Sequence, residues 1–166
     1  MFTVENYKGT LEEKYGLLLK QLESLIEGEQ NVVANLSNAS ALLNVFLERI
    51  NWVGFYMVEG DGLVLGPFQG LPACIRIPFG RGVCGKAAKE EQTIIVPDVH
   101  QFPGHIACDS ASNSEIVLPL IKGDVLLGVI DIDSPLFARF DEQDAKGLNQ
   151  LCSILMNEVD WSHGLL

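Results

Sequence analysis

One stretch in the middle of the chain follows no secondary-structure period. From His100 to Glu115 it reads His-Gln-Phe-Pro-Gly-His-Ile-Ala-Cys-Asp-Ser-Ala-Ser-Asn-Ser-Glu. It carries two of the three histidines and a lone cysteine, punctuated by Gly, Pro, Asn and Ser. Any fold must lay this segment across its surface as a long loop, and such loops in compact domains are mostly functional or disordered. Phe102, Ile106 and Cys108 favour burial, which argues for order. Cys108 is therefore read as a nucleophile held on a loop.

The flanks are regular. Thr10-Leu-Glu-Glu13 has the form of a capping box, and Leu11, Tyr15, Leu18, Leu19, Leu22, Leu25 and Ile26 follow at helical spacing up to Gly28. A second helix is expected from about Asn31 to Leu47, with Val33, Leu36, Leu43, Val45 and Phe46 as core candidates. Asn51 to Val58 switches to strand chemistry. Glu59-Gly-Asp-Gly62 turns it into a returning strand, Leu63 to Leu65. Gly66 to Pro72 reads as loop, Cys74 to Ile77 as a short strand, Gly80 to Glu90 as a short helix and Thr93 to Val96 as a strand. Beyond the long loop, Glu115 to Ile121 and Val125 to Asp133 form a second hairpin across Lys122-Gly-Asp124. Asp141 caps a last helix whose Leu148, Leu151, Cys152, Leu155 and Val159 form one stripe.

Helices at both ends and hairpin-joined strands between them predict an α+β fold with a mostly antiparallel sheet. The 166 residues suit a single domain over 1–166. Its helices fall at about 10–48, its sheet and active-site loops at about 50–135, and its C-terminal helix at about 141–160. A net charge of −11 argues against nucleic acid and anionic membrane surfaces as partners, and no apolar run approaches a bilayer span. Met1 to Gly9 lacks the features of an export signal, so a cytoplasmic location is expected.

In that compartment cysteines stay reduced, and a disulfide is transient and catalytic. The spacing of Cys74, Cys84, Cys108 and Cys152 gives no zinc ribbon, and no metal is expected. His100 and His105 are read as loop-orienting residues. Cys152 lies on an apolar helical stripe and reads as a small buried hydrophobe. Cys74, Cys84 and Cys108 all sit beside loops and turns. Thiol redox chemistry needs an attacking thiolate and a resolving partner, and a third thiol can pass a disulfide on. Gly80-Arg-Gly-Val-Cys-Gly-Lys-Ala87 mimics phosphate-binding patterns, but Ala87 stands where a magnesium-holding hydroxyl is needed. Its glycines are read as turn residues around Cys84.

Asp131 and Asp133 end an otherwise apolar strand and, two apart, point to the same face. Either the strand end reaches solvent, or the pair lines a pocket in which proximity and burial raise at least one pKa. Glu115, at the start of the partner strand, could join them. Trp52 and Tyr56, four apart on a strand, share a face as core or as the wall of a small-ligand pocket.

These residues carry a resemblance. Ile50-Asn-Trp-Val-Gly-Phe-Tyr56, Leu65-Gly-Pro-Phe-Gln-Gly70, Ala73-Cys74, Gly82-Val-Cys-Gly85, Val99-His-Gln-Phe102, His105-Ile-Ala-Cys-Asp109, Ser114-Glu-Ile-Val-Leu-Pro119 and Gly128-Val-Ile-Asp-Ile-Asp-Ser-Pro135 are similar, without departure, to the free methionine-R-sulfoxide reductases, single-domain enzymes on the GAF fold. The resemblance implies Cys108 as nucleophile, Cys74 as main resolving thiol and Cys84 as a second. It implies Glu115, Asp131 and Asp133 as the carboxyl set that engages the sulfoxide oxygen and the substrate's amino group, and Trp52 and Tyr56 as pocket walls. Thioredoxin as reductant, the absence of a bound cofactor and a homodimer are further expectations from the resemblance. The competing expectation is a non-catalytic GAF module that senses a small ligand or redox state.

Overall fold

The computed structural model describes residues 7–106 and 109–163. The first helix, α1 (Leu11–Ile26), begins as the sequence predicts. The Thr10 side chain accepts from the Glu13 amide, and the Glu13 carboxylate accepts from the Thr10 amide at 2.8 Å. In α2 (Val32–Phe46), Asn31 is the cap and accepts from the Ala34 amide. Its inward stripe is Val32, Leu36, Ala39, Leu43 and Phe46, with Leu42 beside it. Val33 and Val45, expected in the core, are 40% and 44% exposed. Each stands one position off that stripe, and a helix rich in Ala and Asn gives little contrast to fix its face.

The strands are β1 (Trp52–Glu59), β2 (Gly62–Gly70), β3 (Arg76–Pro78), β4 (Ile94–Val96), β5 (Ser114–Lys122) and β6 (Val125–Ser134). They form one antiparallel sheet in the order β3-β2-β1-β6-β5-β4. One sequence reading is corrected: Gly66 to Gly70 is strand rather than loop. Gly54 pairs with Phe68 and Tyr56 with Leu65, so Gly66 and Pro67 together face Phe55 as a bulge. A bulge tolerates a proline, which has no amide to give the ladder, and lets the strand resume beyond it. Both edge strands are only three residues long, which limits edge-to-edge pairing.

Alternation along the strands makes two different faces. Val53, Phe55 and Met57 of β1, Ile116, Leu118 and Leu120 of β5, and Ile130 and Ile132 of β6 point to one side. There they pack with α1, α2 and α4 (Glu142–Glu158). The other face carries Trp52, Tyr56, Val117 and Val129 against α3 (Gly82–Glu90) and the loops around it. This second core is smaller, and its strand ends carry the acidic residues. The Gly80–Gly85 motif is structural, as read. The Gly80 amide donates to the Gly85 carbonyl at 2.7 Å, and Gly82 adopts a left-handed φ of +61°.

The helical layer is closed by a buried polar knot. The Tyr15 hydroxyl donates to Asp144 Oδ1 at 2.8 Å, and Arg139 Nη1 donates to Asp144 Oδ2 at 3.1 Å. Asp144 also completes the Asp141 capping box of α4. Gly147, one turn on, lets the Tyr15 ring lie flat on α4: a Cβ there would sit 2.3 Å from Tyr15 Cδ1. Gly147→Ala is therefore expected to cost about 1–3 kcal/mol by overpacking, although alanine is the better helix former. Urea denaturation checks this, and a stabilised variant would show that the ring is free to move.

Candidate active site

Strand register assembles the acidic set. Asp133 of β6 pairs with Glu115 of β5 on one side and with Trp52 of β1 on the other. Directly paired residues share a face, so the three form a row across the sheet. Asp131, two residues back, joins the same face, and Tyr56 follows Trp52 four positions on. Cys84, in the first turn of α3, closes the floor from above: its Sγ lies 3.9 Å from Glu115 Oε1. Cys84, Glu115 and Asp131 are 4%, 5% and 7% exposed.

These groups line a pocket together with His105, Ile106, Asp109 and Ser112. A smaller lobe shares Asp109, Asp131 and Asp133 with it and is walled by Trp52 and Tyr56. The two aromatics are both buried and stacked, with centroids 5.8 Å apart. They therefore serve as core and as pocket wall at once. Their polar ends hold the loop after β2. Trp52 Nε1 donates to the Leu71 carbonyl at 3.1 Å, and the Tyr56 hydroxyl donates to the Cys74 carbonyl at 3.0 Å.

Of the four cysteines, Cys74 is half-buried on that loop and disulfide-bonded. Cys84 and Cys152 are free thiols. Cys108 lies outside the described residues. Cys152 is buried in the helical layer, where desolvation pushes its thiol up to about 12, as an inert core residue requires. Burial, followed by the charges of Asp131 and Glu115, pushes the Cys84 thiol well above its ordinary value too. As it stands, Cys84 is a proton-bearing thiol rather than a ready thiolate.

The carboxyls move the same way. Burial raises Glu115 first, and Asp131 and Asp133 raise it further. Burial raises Asp131 to about 6, against hydrogen bonds from Cys84 and Glu115 that lower it. Asp133 is raised by burial and then by Asp131, with Ser112 opposing. Like charges this close cannot all ionise, so the set retains protons near neutral pH and titrates as a unit. His105 Nε2 stands 3.7 Å from Glu115 Oε2, but burial and His100 lower its pKa. At pH 7 that contact joins a neutral imidazole to a proton-bearing carboxyl. His100 orients the loop as expected: its ring meets Asn113 Oδ1 at 2.9 Å and its amide donates to Asp98.

Three residues of the site were given no role from sequence. Asn51 Nδ2 donates to Asp109 Oδ2 at 2.8 Å and to Ser112 Oγ at 3.0 Å, while the Asn51 amide donates to the Asp133 carbonyl. This polar triangle fastens the end of the long loop to the carboxyl end of the sheet. The available signal was an asparagine placed where helix gives way to strand, just ahead of Trp52.

Known proteins share this architecture. The model of the GAF domain matches residues 38–158. Protein YtsP of Bacillus subtilis (strain 168) is 57% identical, covering 93% of this chain and 96% of its own length. The free methionine-R-sulfoxide reductase of Escherichia coli (strain K12) is 54% identical, over 86% of this chain and 87% of its own. The X-ray structure of free methionine-R-sulfoxide reductase from Neisseria meningitidis in complex with its substrate superposes with a TM-score of 0.93 at 44% identity, covering 100% of both chains.

The raised carboxyl values carry a signed prediction. Folded chains hold protons that unfolded chains have released, so stability falls as pH rises. For Asp131 the fall spans its ordinary value of 3.8 to about 6, and Glu115 and Asp133 extend it upward. Glu115→Gln keeps the shape and removes one charge. It is expected to be more stable than the parent at pH 8 by roughly 1–3 kcal/mol, with the gap closing towards pH 4. Urea denaturation at both pH values measures it, and a gap that widened in acid would reverse the sign.

Proposed function

The chain belongs to the free methionine-R-sulfoxide reductases of the GAF family, and from that premise we propose that it reduces free L-methionine (R)-S-oxide with Cys108 as the attacking thiolate. The observation that carries the reading is the proton-retaining set of buried Glu115 and Asp131 with half-buried Asp133 at the pocket floor. A sulfoxide sulfur is a poor electrophile until its oxygen is protonated, and a carboxylic acid kept neutral by its neighbours can donate that proton.

The Cys108 thiolate attacks the sulfoxide sulfur while the carboxyl set protonates the oxygen. The S–O bond breaks, the protonated oxygen leaves as water, and Cys108 is joined to the methionine sulfur as a sulfonium. Water then attacks the Cys108 sulfur, breaks the S–S bond, returns a proton to the carboxyl set and leaves methionine and a Cys108 sulfenic acid. Cys74 attacks that sulfur, expels water and forms a disulfide. The disulfide-bonded state of Cys74, beside free thiols at Cys84 and Cys152, supports Cys74 as the resolving residue. A raised thiol pKa disfavours Cys84 in that first step and suits it to a later exchange. Thioredoxin, an external dithiol, then restores both cysteines.

Carboxylates suit the ammonium of a free amino acid, a charge that a peptide-bound residue lacks. Asp131 Oδ1 is buried and accepts no hydrogen bond, which leaves it open to such a donor. Trp52 and Tyr56 suit the methyl thioether end. Recycling by thioredoxin would suit a reducing, cytoplasmic setting, and family resemblance supports a homodimer, which sedimentation measures directly. Among the described residues no helix is long and apolar enough to cross a membrane.

Oxidation of NADPH in the presence of thioredoxin, thioredoxin reductase and free methionine-R-sulfoxide is the test. Cys108→Ser is expected to lose turnover by on the order of 10³-fold or more, and continued turnover would remove Cys108 from the role. Cys74→Ser should release about one methionine per chain and then stall with thioredoxin. Asp133→Asn should lower turnover on the order of 10²-fold with little change in melting temperature. A collapsed melting temperature with unchanged activity per folded molecule would make Asp133 structural.

A further inference from the structure

We propose that Cys84, Glu115, Asp131 and His105 form a binding site for one exchangeable divalent cation of the zinc class at the pocket floor. The Cys84 sulfur and carboxylate oxygens of Glu115 and Asp131 all lie within 4.8 Å of one another. The Sγ–Oε1 separation is 3.9 Å. A tetrahedral zinc ion with its usual bond lengths spaces a sulfur and an oxygen ligand about 3.6 Å apart. The Cys84–Glu115 pair therefore stands within a few tenths of an ångström of ligand spacing, and Asp131 lies close enough to complete a three-donor set.

A second, independent observation points to a ligand. Asp131 is 7% exposed, and its Oδ1 is buried with no hydrogen-bond partner while lining the pocket. An unpaired buried carboxylate oxygen is costly, and a cation satisfies it. His105 stands beside this three-donor set, its Nε2 3.7 Å from the other oxygen of Glu115, and would supply the fourth donor by a side-chain movement. One sulfur, one nitrogen and two carboxylate oxygens suit zinc or cobalt. Magnesium and calcium take oxygen sets.

Binding is an exchange of protons for metal. Cys84 releases its S–H proton and the carboxyl set releases those it holds, all to solvent. One S–metal, one N–metal and two O–metal bonds form, and no atom changes oxidation state. Two carboxylates make the site weaker than an all-thiolate one. The ion occupies the oxygens offered to the substrate's ammonium and removes the protons that the S–O cleavage needs, so zinc inhibits turnover competitively. That inhibition rests on the reductase reading, whereas cation binding does not.

The test uses the intact chain in its disulfide state, in which Cys84 and Cys152 are the free thiols among the described residues. Cobalt(II) chloride is titrated in and followed by absorbance. The expected result is one equivalent per chain, with a thiolate-to-cobalt charge-transfer band and tetrahedral visible bands, both displaced by zinc. Cys152→Ser should keep the bands, Cys84→Ser should lose the charge-transfer band, and Asp131→Asn should weaken cobalt binding at least about tenfold. A missing band in the parent chain, a band that survives Cys84→Ser, or unchanged affinity in Asp131→Asn each overturns the site. Circular dichroism checks folding. Should Cys84→Ser not fold, Asp131→Asn and His105→Gln, which leave the thiol in place, decide the matter by the same affinity criterion. Sulfoxide turnover in EDTA is measured separately, so failure of the titration and failure of the reductase reading are told apart. Turnover that micromolar zinc leaves unchanged overturns the inhibitory half.

Discussion

Three carboxyl groups crowd the end of one sheet face, and among the described residues no lysine or arginine ion pair reaches them. The two-residue period of β5 and β6 imposes this. The register that buries Ile116, Ile130 and Ile132 under the helices sends Glu115, Asp131 and Asp133 to the opposite side. The acidic set cannot be turned outward without exposing the main core, because a one-residue slip would flip every side chain. The stability of the helical layer therefore holds the acidic cluster in an arrangement that its own electrostatics oppose.

The two faces divide the labour. One is backed by α1, α2 and α4 and is mostly apolar, apart from the Tyr15–Asp144–Arg139 knot and the buried Asn35 and Ser40 of α2. The other is thinner, holds buried ionisable groups and is roofed by α3 and loops. Unpaired charge and unsatisfied acceptors are tolerable on the second face because the first supplies a surplus of apolar burial. Strain concentrated at a functional face and offset elsewhere is the usual arrangement in enzymes.

Much of this was legible in the chain. Thr10 and Asp141 announced their helices through local cap chemistry, and the apolar runs of β5 and β6 fixed a hairpin whose same-face carboxylates could be inferred from spacing alone. Where reading failed, tertiary context decided. Pro67 looked like a loop residue because the bulge that accommodates it depends on how β1 lies beside it. Val33 and Val45 looked buried because an Ala- and Asn-rich helix does not reveal which of two faces meets the sheet. Asn51 carried no signal beyond its place at the helix-to-strand junction. Its importance comes from Asp109 and Ser112, more than fifty positions along the chain, and no local pattern reports so distant a partner.

Trp52 and Tyr56 each face two ways. Their rings bound the smaller lobe of the pocket, and their polar tips suspend the Leu71–Cys74 backbone. The shape of the lobe and the placement of the Cys74 backbone thus share the same two anchors. On the proposed mechanism, reshaping the lobe for a bulkier sulfoxide by trimming either ring would also unmoor the strand-to-strand crossing that carries Cys74. A chain built this way can broaden what it accepts only by compensating at the loop. If the proposed roles hold, substrate scope and recycling are one mechanical variable in this scaffold.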